Sequence, residues 1–293
     1  LKLRANYAQV GAATGAYRTI TTYSQGTNFE NLSLFSVPST LQNPDLRPEY
    51  TNSIEAGLEA YFFERRIGLD LALYKTNSFD QIFDVPVSRA TGYARMYVNG
   101  GEIENKGIEA ALYLTPVRTN DFSWDLNVNW FANRNTVISL AEGVTNLQIW
   151  SQWGVSVAAA EGEPYGSLKG VDYVYTDGKI TVGDDGYLLL GDDPNAIIGN
   201  IQPDWNMGVG NRFSFMGLSL YALIDIQKGG DIFSHSTSYG QATGVYEETG
   251  GTNPKGNPKR DPVAEGGGMI FEDAVYDDGT PNDTYVHAQR WGG

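Results

Sequence analysis

Glu55 and Glu59 are the first residues whose type and spacing could do chemistry: two carboxylates able to share the acid and base work of cleaving a glycosidic bond. On an extended strand they share a face but stand roughly 13 Å apart. Glycoside hydrolysis works with carboxylates no more than about 9.5 Å apart, so a partner would have to come from a neighbouring strand. Asp184-Asp185-Gly186 and Asp192-Asp193 offer oxygen ligands for calcium, but without the alternate-position ligands of an EF-hand they read as solvated acidic turns. His235 and His287 lie far apart with no matched nucleophile, which argues against a Ser/His/Asp site. Trp150, Trp153 and Tyr165 sit in acidic, Asn-rich surroundings, where rings stack on sugars or peptide side chains. They are the candidate substrate-binding residues. The plainer reading is that they pack the loops, because aromatic side chains gain much from burial. No catalytic residue, metal ligand or cofactor is expected.

The elements that would carry these residues alternate apolar and polar side chains. Phe122, Trp124, Leu126, Val128 and Trp130 point one way, and Ser123, Asp125, Asn127, Asn129 and Asn133 the other. The same pattern runs through Ile54, Ala56, Leu58, Ala60 and Phe62, then through Ile67, Leu69, Leu71 and Leu73 after the turn Glu64-Arg65-Arg66. It recurs from Ile108 to Leu114, from Trp205 to Phe215, across Met216-Gly217 to Ile226, and in the opening residues. Pro116 is expected in the turn before Phe122, where its missing N–H costs nothing. Strands are expected near 1–10, 52–62, 67–77, 106–114, 122–133, 204–215 and 218–227, joined at one end by short turns. Long connections without regular structure are expected at 11–50, 136–203 and 228–293, with Trp291-Gly292-Gly293 breaking off inside a loop.

The face opposite the apolar one carries too much charge for the core of a soluble sandwich. Strands greasy on one side and wet on the other, with short turns and long loops alternating, describe an antiparallel transmembrane β-barrel segment. From Phe122 to Trp130 is roughly 27 Å of strand, or about 20 Å of height at a tilt of ~40°, close to the ~25 Å apolar band of such barrels. The rival is a soluble or surface-attached carbohydrate-binding β-sandwich, in which the Phe122–Trp130 face packs on a second sheet.

Composition agrees with the membrane reading. No stretch approaches the ~18 apolar residues of a membrane helix, and a barrel hides its lipid contact in alternation. With no cysteine there is neither disulfide nor thiolate metal site. A net charge of −15 argues against nucleic acid as a partner.

Read in order, several segments resemble the SusC/RagA family of TonB-dependent outer-membrane transporters of Bacteroidetes. They are the opening strand Leu1–Gly11; Asn43-Pro44-Asp45-Leu46-Arg47-Pro48-Glu49; Gly101–Glu109 with Asn105-Lys106-Gly107; Glu161–Ser167; Gly199–Trp205; and Gly229–Phe233. Locally, the proline segments are turn chemistry leading into a strand, and Asn105-Lys106-Gly107 reads as a polar strand start whose glycine allows a bend or bulge.

The resemblance implies an outer-membrane importer of oligosaccharides or peptides: a plugged barrel of about 22 strands, driven by TonB through the plug and lidded by a SusD-like lipoprotein. The plug and closing strands are not in this sequence, which reads as an internal segment. On this reading Glu55, Glu59, Asp70, Asp125, Asn127, Asn129, Arg212 and Asp225 face the lumen or touch the plug, and the apolar face meets membrane lipid.

Overall fold

The computed structural model describes residues 1–290. The expected loop end at residues 291–293 lies outside the described residues. The chain divides into two compact units, one of Leu1–Trp150, Val157–Ser167 and Asn200–Gly230, the other of Ser151–Ser156, Leu168–Gly199 and Asp231–Gly293.

The first unit is built on a seven-stranded antiparallel sheet. Its strands are β1 (Lys2–Ala12), β2 (Glu49–Phe62), β3 (Ile67–Phe79), β4 (Glu102–Arg118), β5 (Phe122–Ser139), β6 (Pro203–Phe215) and β7 (Leu218–Gly229). Each pairs with its neighbours in sequence, so the sheet is an up-and-down meander with β1 and β7 at its edges.

The pairing register keeps like with like. Ala56 faces Leu73, Leu73 faces Ile108, and Ile108 faces Ala132, forming one apolar rung across four strands. A slip of one residue would exchange the two faces. The large apolar side chains stay outside the core: Leu3 is 75 %, Ile54 59 %, Phe215 51 % and Leu220 65 % exposed. Among the described residues the sheet adds only the small Ala60 and Ala72, and Val137 near the loop end of β5, to the buried hydrophobics. A sandwich would have buried the Phe122–Trp130 face against a second sheet, but none of Phe122, Trp124, Leu126, Val128 and Trp130 is buried.

Short turns close one end. Met216 (φ 45°) and Gly217 (φ 86°) form a left-handed two-residue turn whose twist matches the flanking strands. Phe63, Glu64 and Arg65 also take positive φ, and Arg66 N–H donates to the Phe63 carbonyl at 3.0 Å.

Several local expectations are corrected. Pro116 lies inside β4, not in a turn. The register jumps there from Trp124↔Val117 to Leu126↔Leu114, and this bulge removes the need for the missing N–H. Asn105-Lys106-Gly107 is likewise mid-strand, in unbroken register with β3. The long connections are not without regular structure. Ser24–Gln25 pairs with Phe35–Ser36, and Thr40–Leu41 runs parallel to Arg95–Asn99, which also pairs with Ile82–Pro86. Asn146–Gln152, Val155–Ala160, Ser167–Gly170 and Ala196–Asn200 form a four-stranded sheet, and residues His235–Thr243 form helix α1. Such short strands carry too few residues for alternation to show. Among the described residues a hydrophobic cluster of the first unit ties this territory to the end of β5: Val85, Leu147 and Ala159 meet Val137 of that strand, packed by Phe83, Val98, Leu140 and Val144.

Candidate functional site

Two places collect polar or aromatic side chains. The first is the face of the seven-stranded sheet opposite its apolar one. A single rung crosses all seven strands: Lys2, Glu59, Asp70, Ala111, Asn129, Gly208 and Asp225. Lys2 pairs with Glu59 at 3.3 Å, and Arg4 reaches both Glu55 (3.4 Å) and Asp70 (2.8 Å). Both glutamates whose spacing suggested hydrolysis are therefore occupied as ion-pair acceptors. With side chains roughly a third exposed, solvent screening leaves the Arg4 pairs little net stabilisation. Their effect is to hold charge in place along the face.

Arg4 crosses β2 to reach Asp70 because its register partner there is Gly57; a Cβ at that position would lie 2.4 Å from the Arg4 Nε. The same device recurs. Tyr61 lies over Gly68, Tyr221 over Gly210, and Tyr74 over Gly107, where a Cβ would meet the ring at 2.3 Å. Tyr74 then donates its hydroxyl to Asn133 Oδ1 on β5 at 3.1 Å.

Further along this face, Asp125 accepts from the Thr115 hydroxyl at 2.7 Å and stands opposite Arg212, whose guanidinium lies 5.9 Å from the Tyr221 ring centre. Asn127 and Asn129 are exposed beside Gly210 and Gly208. All eight residues singled out for a wet wall thus share one face. Arg4, Tyr61, Tyr74 and Tyr221 lie on that face too, as alternation places them, but alternation does not show that they lie flat over glycines. The parity of Arg4 was visible in the sequence, but its reach over Gly57 required the register.

The second place is the loop territory. Trp153 sits at a hairpin tip with φ 54°, is 65 % exposed, and stacks on His235 with ring centres 4.7 Å apart. His235 in turn meets the edge of Tyr239 at 4.4 Å. Both partners come from α1, distant in sequence and carrying no helical apolar stripe to announce it. Trp150 and Tyr165 belong to the first unit, where Trp150 is 47 % exposed. The Tyr165 backbone is held by Asn135 Oδ1 at 2.7 Å and by Gln202 Nε2.

The second unit also holds an open cleft of about 870 Å³, lined among others by Tyr173, Lys179, Ile180, Lys259, Phe271 and Asp273. Nearby, burial and Asp172 push the Tyr175 hydroxyl above the usual tyrosine range. The acidic turns serve themselves: Asp185 accepts from Tyr187 N–H at 3.1 Å and Asp193 from Asn195 N–H at 2.8 Å. Among the described residues no helix is long and apolar enough to cross a membrane, which says nothing of strands.

The sequence model of the family described as "TonB dependent receptor-like, beta-barrel" matches residues 1–225. TonB-dependent receptor P3 of Formosa agariphila is 27% identical over 270 residues, covering 80% of this chain and 26% of its own length. TonB-dependent receptor SusC of Bacteroides thetaiotaomicron is 35% identical over 103 residues, covering 34% of this chain and 10% of its own. The solved RagAB peptide transporter superposes with a TM-score of 0.69 at 20% identity, over 98% of this chain and 31% of that one. The chain thus spans about a quarter of the length of P3 and less of SusC. It belongs to the TonB-dependent receptor family, as a SusC- and RagA-like stretch of an outer-membrane β-barrel.

Proposed function

We propose that this chain forms part of the wall and outer loops of a TonB-driven importer of oligosaccharides or peptides. Its charged face lines the lumen, with Glu55, Glu59, Asp70, Asp125, Asn127, Asn129, Arg212 and Asp225 facing the plug or the passing solute. Trp150, Trp153 and Tyr165 belong to loops that meet the substrate beneath a SusD-like lipoprotein lid. TonB acts from the periplasm through the plug. The wall does no covalent chemistry: Glu55, Glu59 and Asp70 are ion-paired and Asp125 is hydrogen-bonded, and its task is to stay wetted while a solute passes.

The observation that carries this reading is the two-faced sheet. A rung that carries charge and amide from Lys2 to Asp225 is backed at the same height by an apolar face, an arrangement that suits water on one side and lipid on the other. The test uses the full-length protein in its membrane, with single cysteines at Leu126 and Asn127; this segment has none of its own. A water-soluble thiol reagent is expected to label position 127 and to spare position 126 until detergent is added. In the same cells, uptake of fluorescent oligosaccharides and peptides should fall when either this protein or TonB is deleted. Equal labelling at both positions would overturn the wall, and uptake indifferent to TonB would overturn the importer.

A further inference from the structure

The apolar face of the sheet does not fade evenly toward the long loops. It stops at one rung. Going up from the short turns, Ala56, Leu73, Ile108 and Ala132 form a level across β2, β3, β4 and β5. The next level on the same face is Ile54, Lys75, Lys106 and Arg134. Three cations therefore stand side by side on adjacent strands, which lie about 4.8 Å apart. One level higher, Glu104 pairs with Lys75 at 2.6 Å and also with Lys106. Arg134 is exposed and has no ion pair among the described residues. Positive charge is thus concentrated on a chain whose net charge is −15.

Directly below the cations the surface is recessed. Ile54, Ala56, Leu73, Ile108 and Ala132 line a shallow, almost wholly apolar groove of about 570 Å³, with Lys75, Lys106 and Arg134 at its upper end. The recess has a plain cause: alanines at positions 56 and 132 fall between the larger Leu73 and Ile108 and the strands to either side.

We propose that this groove and rung bind one lipid of the outer leaflet that carries phosphate in its headgroup, with an acyl chain in the groove and the phosphate on the three cations. The vertical position fits. From Ile67 at the turn to Lys75 is eight residues of strand, roughly 27 Å, or about 20 Å of height at a ~40° tilt, near the upper limit of a ~25 Å apolar band. Long loops mark the extracellular side of such barrels, so this limit is the outer one. Isolated lysines at a membrane boundary extend toward water to stay hydrated. Three cations in one rung repel one another unless an anion joins them, and Glu104 supplies only one negative charge. A soluble phosphate would have no use for the groove, whereas an amphiphile with charge above and hydrocarbon below fits both parts.

The test is native mass spectrometry of the full-length barrel in detergent, titrated with lipid A, with the same lipid stripped of its phosphates, and with phosphatidylcholine. Wild type is expected to retain lipid A at least fivefold better than either comparison lipid. Lys75→Gln/Lys106→Gln/Arg134→Gln should abolish that preference, while Arg89→Gln/Lys179→Gln/Lys259→Gln, which removes the same charge from the loops, should leave it. Glu104→Gln should raise retention about two- to threefold by freeing both lysines. If the triple variant loses the heat-modifiable mobility of a folded barrel, Arg134→Gln alone is read, with a loss of at least twofold expected. Equal retention by wild type and the rung variants, or retention indifferent to the phosphates, would overturn the proposal.

Discussion

The seven-stranded sheet and the loop unit hold their backbones in different ways. In the sheet the five inner strands are held by ladder partners on both sides, and side chains are left free to serve two solvents. In the second unit, regular pairing is short, and polar side chains fold the backbone themselves. Asn253, only 4 % exposed, accepts from the N–H groups of Lys255 and Asn257 and donates to the carbonyls of Gly266 and Gly268. Asn282 accepts from Thr284 N–H and donates to Phe271. A ladder depends on the length and twist of its strands and tolerates changes of side chain as long as each face keeps its character. A loop tied by single amides depends on those few residues. Sequence change in this protein is therefore expected to act by face in the sheet and by residue in the loops.

The largest effect should come from violating a face. Val128→Arg places a charge in the middle of the apolar side and should destabilise the full-length barrel by about 2–4 kcal/mol in urea unfolding from lipid vesicles. Asn127→Arg, one residue away on the other side, should change stability by less than about 0.5 kcal/mol. Similar costs for the two would erase the distinction between faces. The next effect concerns the glycines. Gly107→Val puts a Cβ where the Tyr74 ring lies, 2.3 Å away, so the ring must leave and its hydrogen bond to Asn133 is lost. About 1–3 kcal/mol should go, and Tyr74→Ala in the same background should recover part of it.

The smallest effect belongs to the loops. The Asp278 carboxylate accepts from the hydroxyl and the backbone N–H of Thr280, which holds it below the usual aspartate range. A depressed carboxyl contributes stability at neutral pH and loses it as pH falls through the ordinary aspartate range toward its lower folded value. Protection of the Thr280 and Gly279 amides, measured against their intrinsic exchange rates at each pH, should fall over that interval while protection in β3 and β4 stays unchanged.

The legibility of the sequence follows the same division. Alternation over ten or more residues fixed which side chain of β5 or β7 lies on which face, because a period of two admits only two answers. It placed Met216-Gly217 in a turn, since that pair suits a left-handed two-residue turn. It did not show that β4 passes through Pro116, because a bulge leaves no mark in composition. Arg4 could be assigned to a face but not to Asp70, two strands away, since that contact depends on register and on Gly57 having no side chain. In the loops, strands of two to seven residues and an α-helix of weak amphipathicity carry no period to detect. The stacking of Trp153 on His235 joins segments that no local pattern connects.

In the tunnel proposed above, the way Arg4, Tyr61, Tyr74 and Tyr221 recline over glycines has a geometric consequence. Free cross-section grows with the square of the clear radius, so relief removed from the inner surface is returned many times over as calibre. A wall that stores its bulkiest side chains flush against the backbone can keep charge and hydroxyl groups in contact with water and still leave the bore to a large, slow-moving cargo. The glycines, which touch no cargo themselves, set how wide that cargo can be.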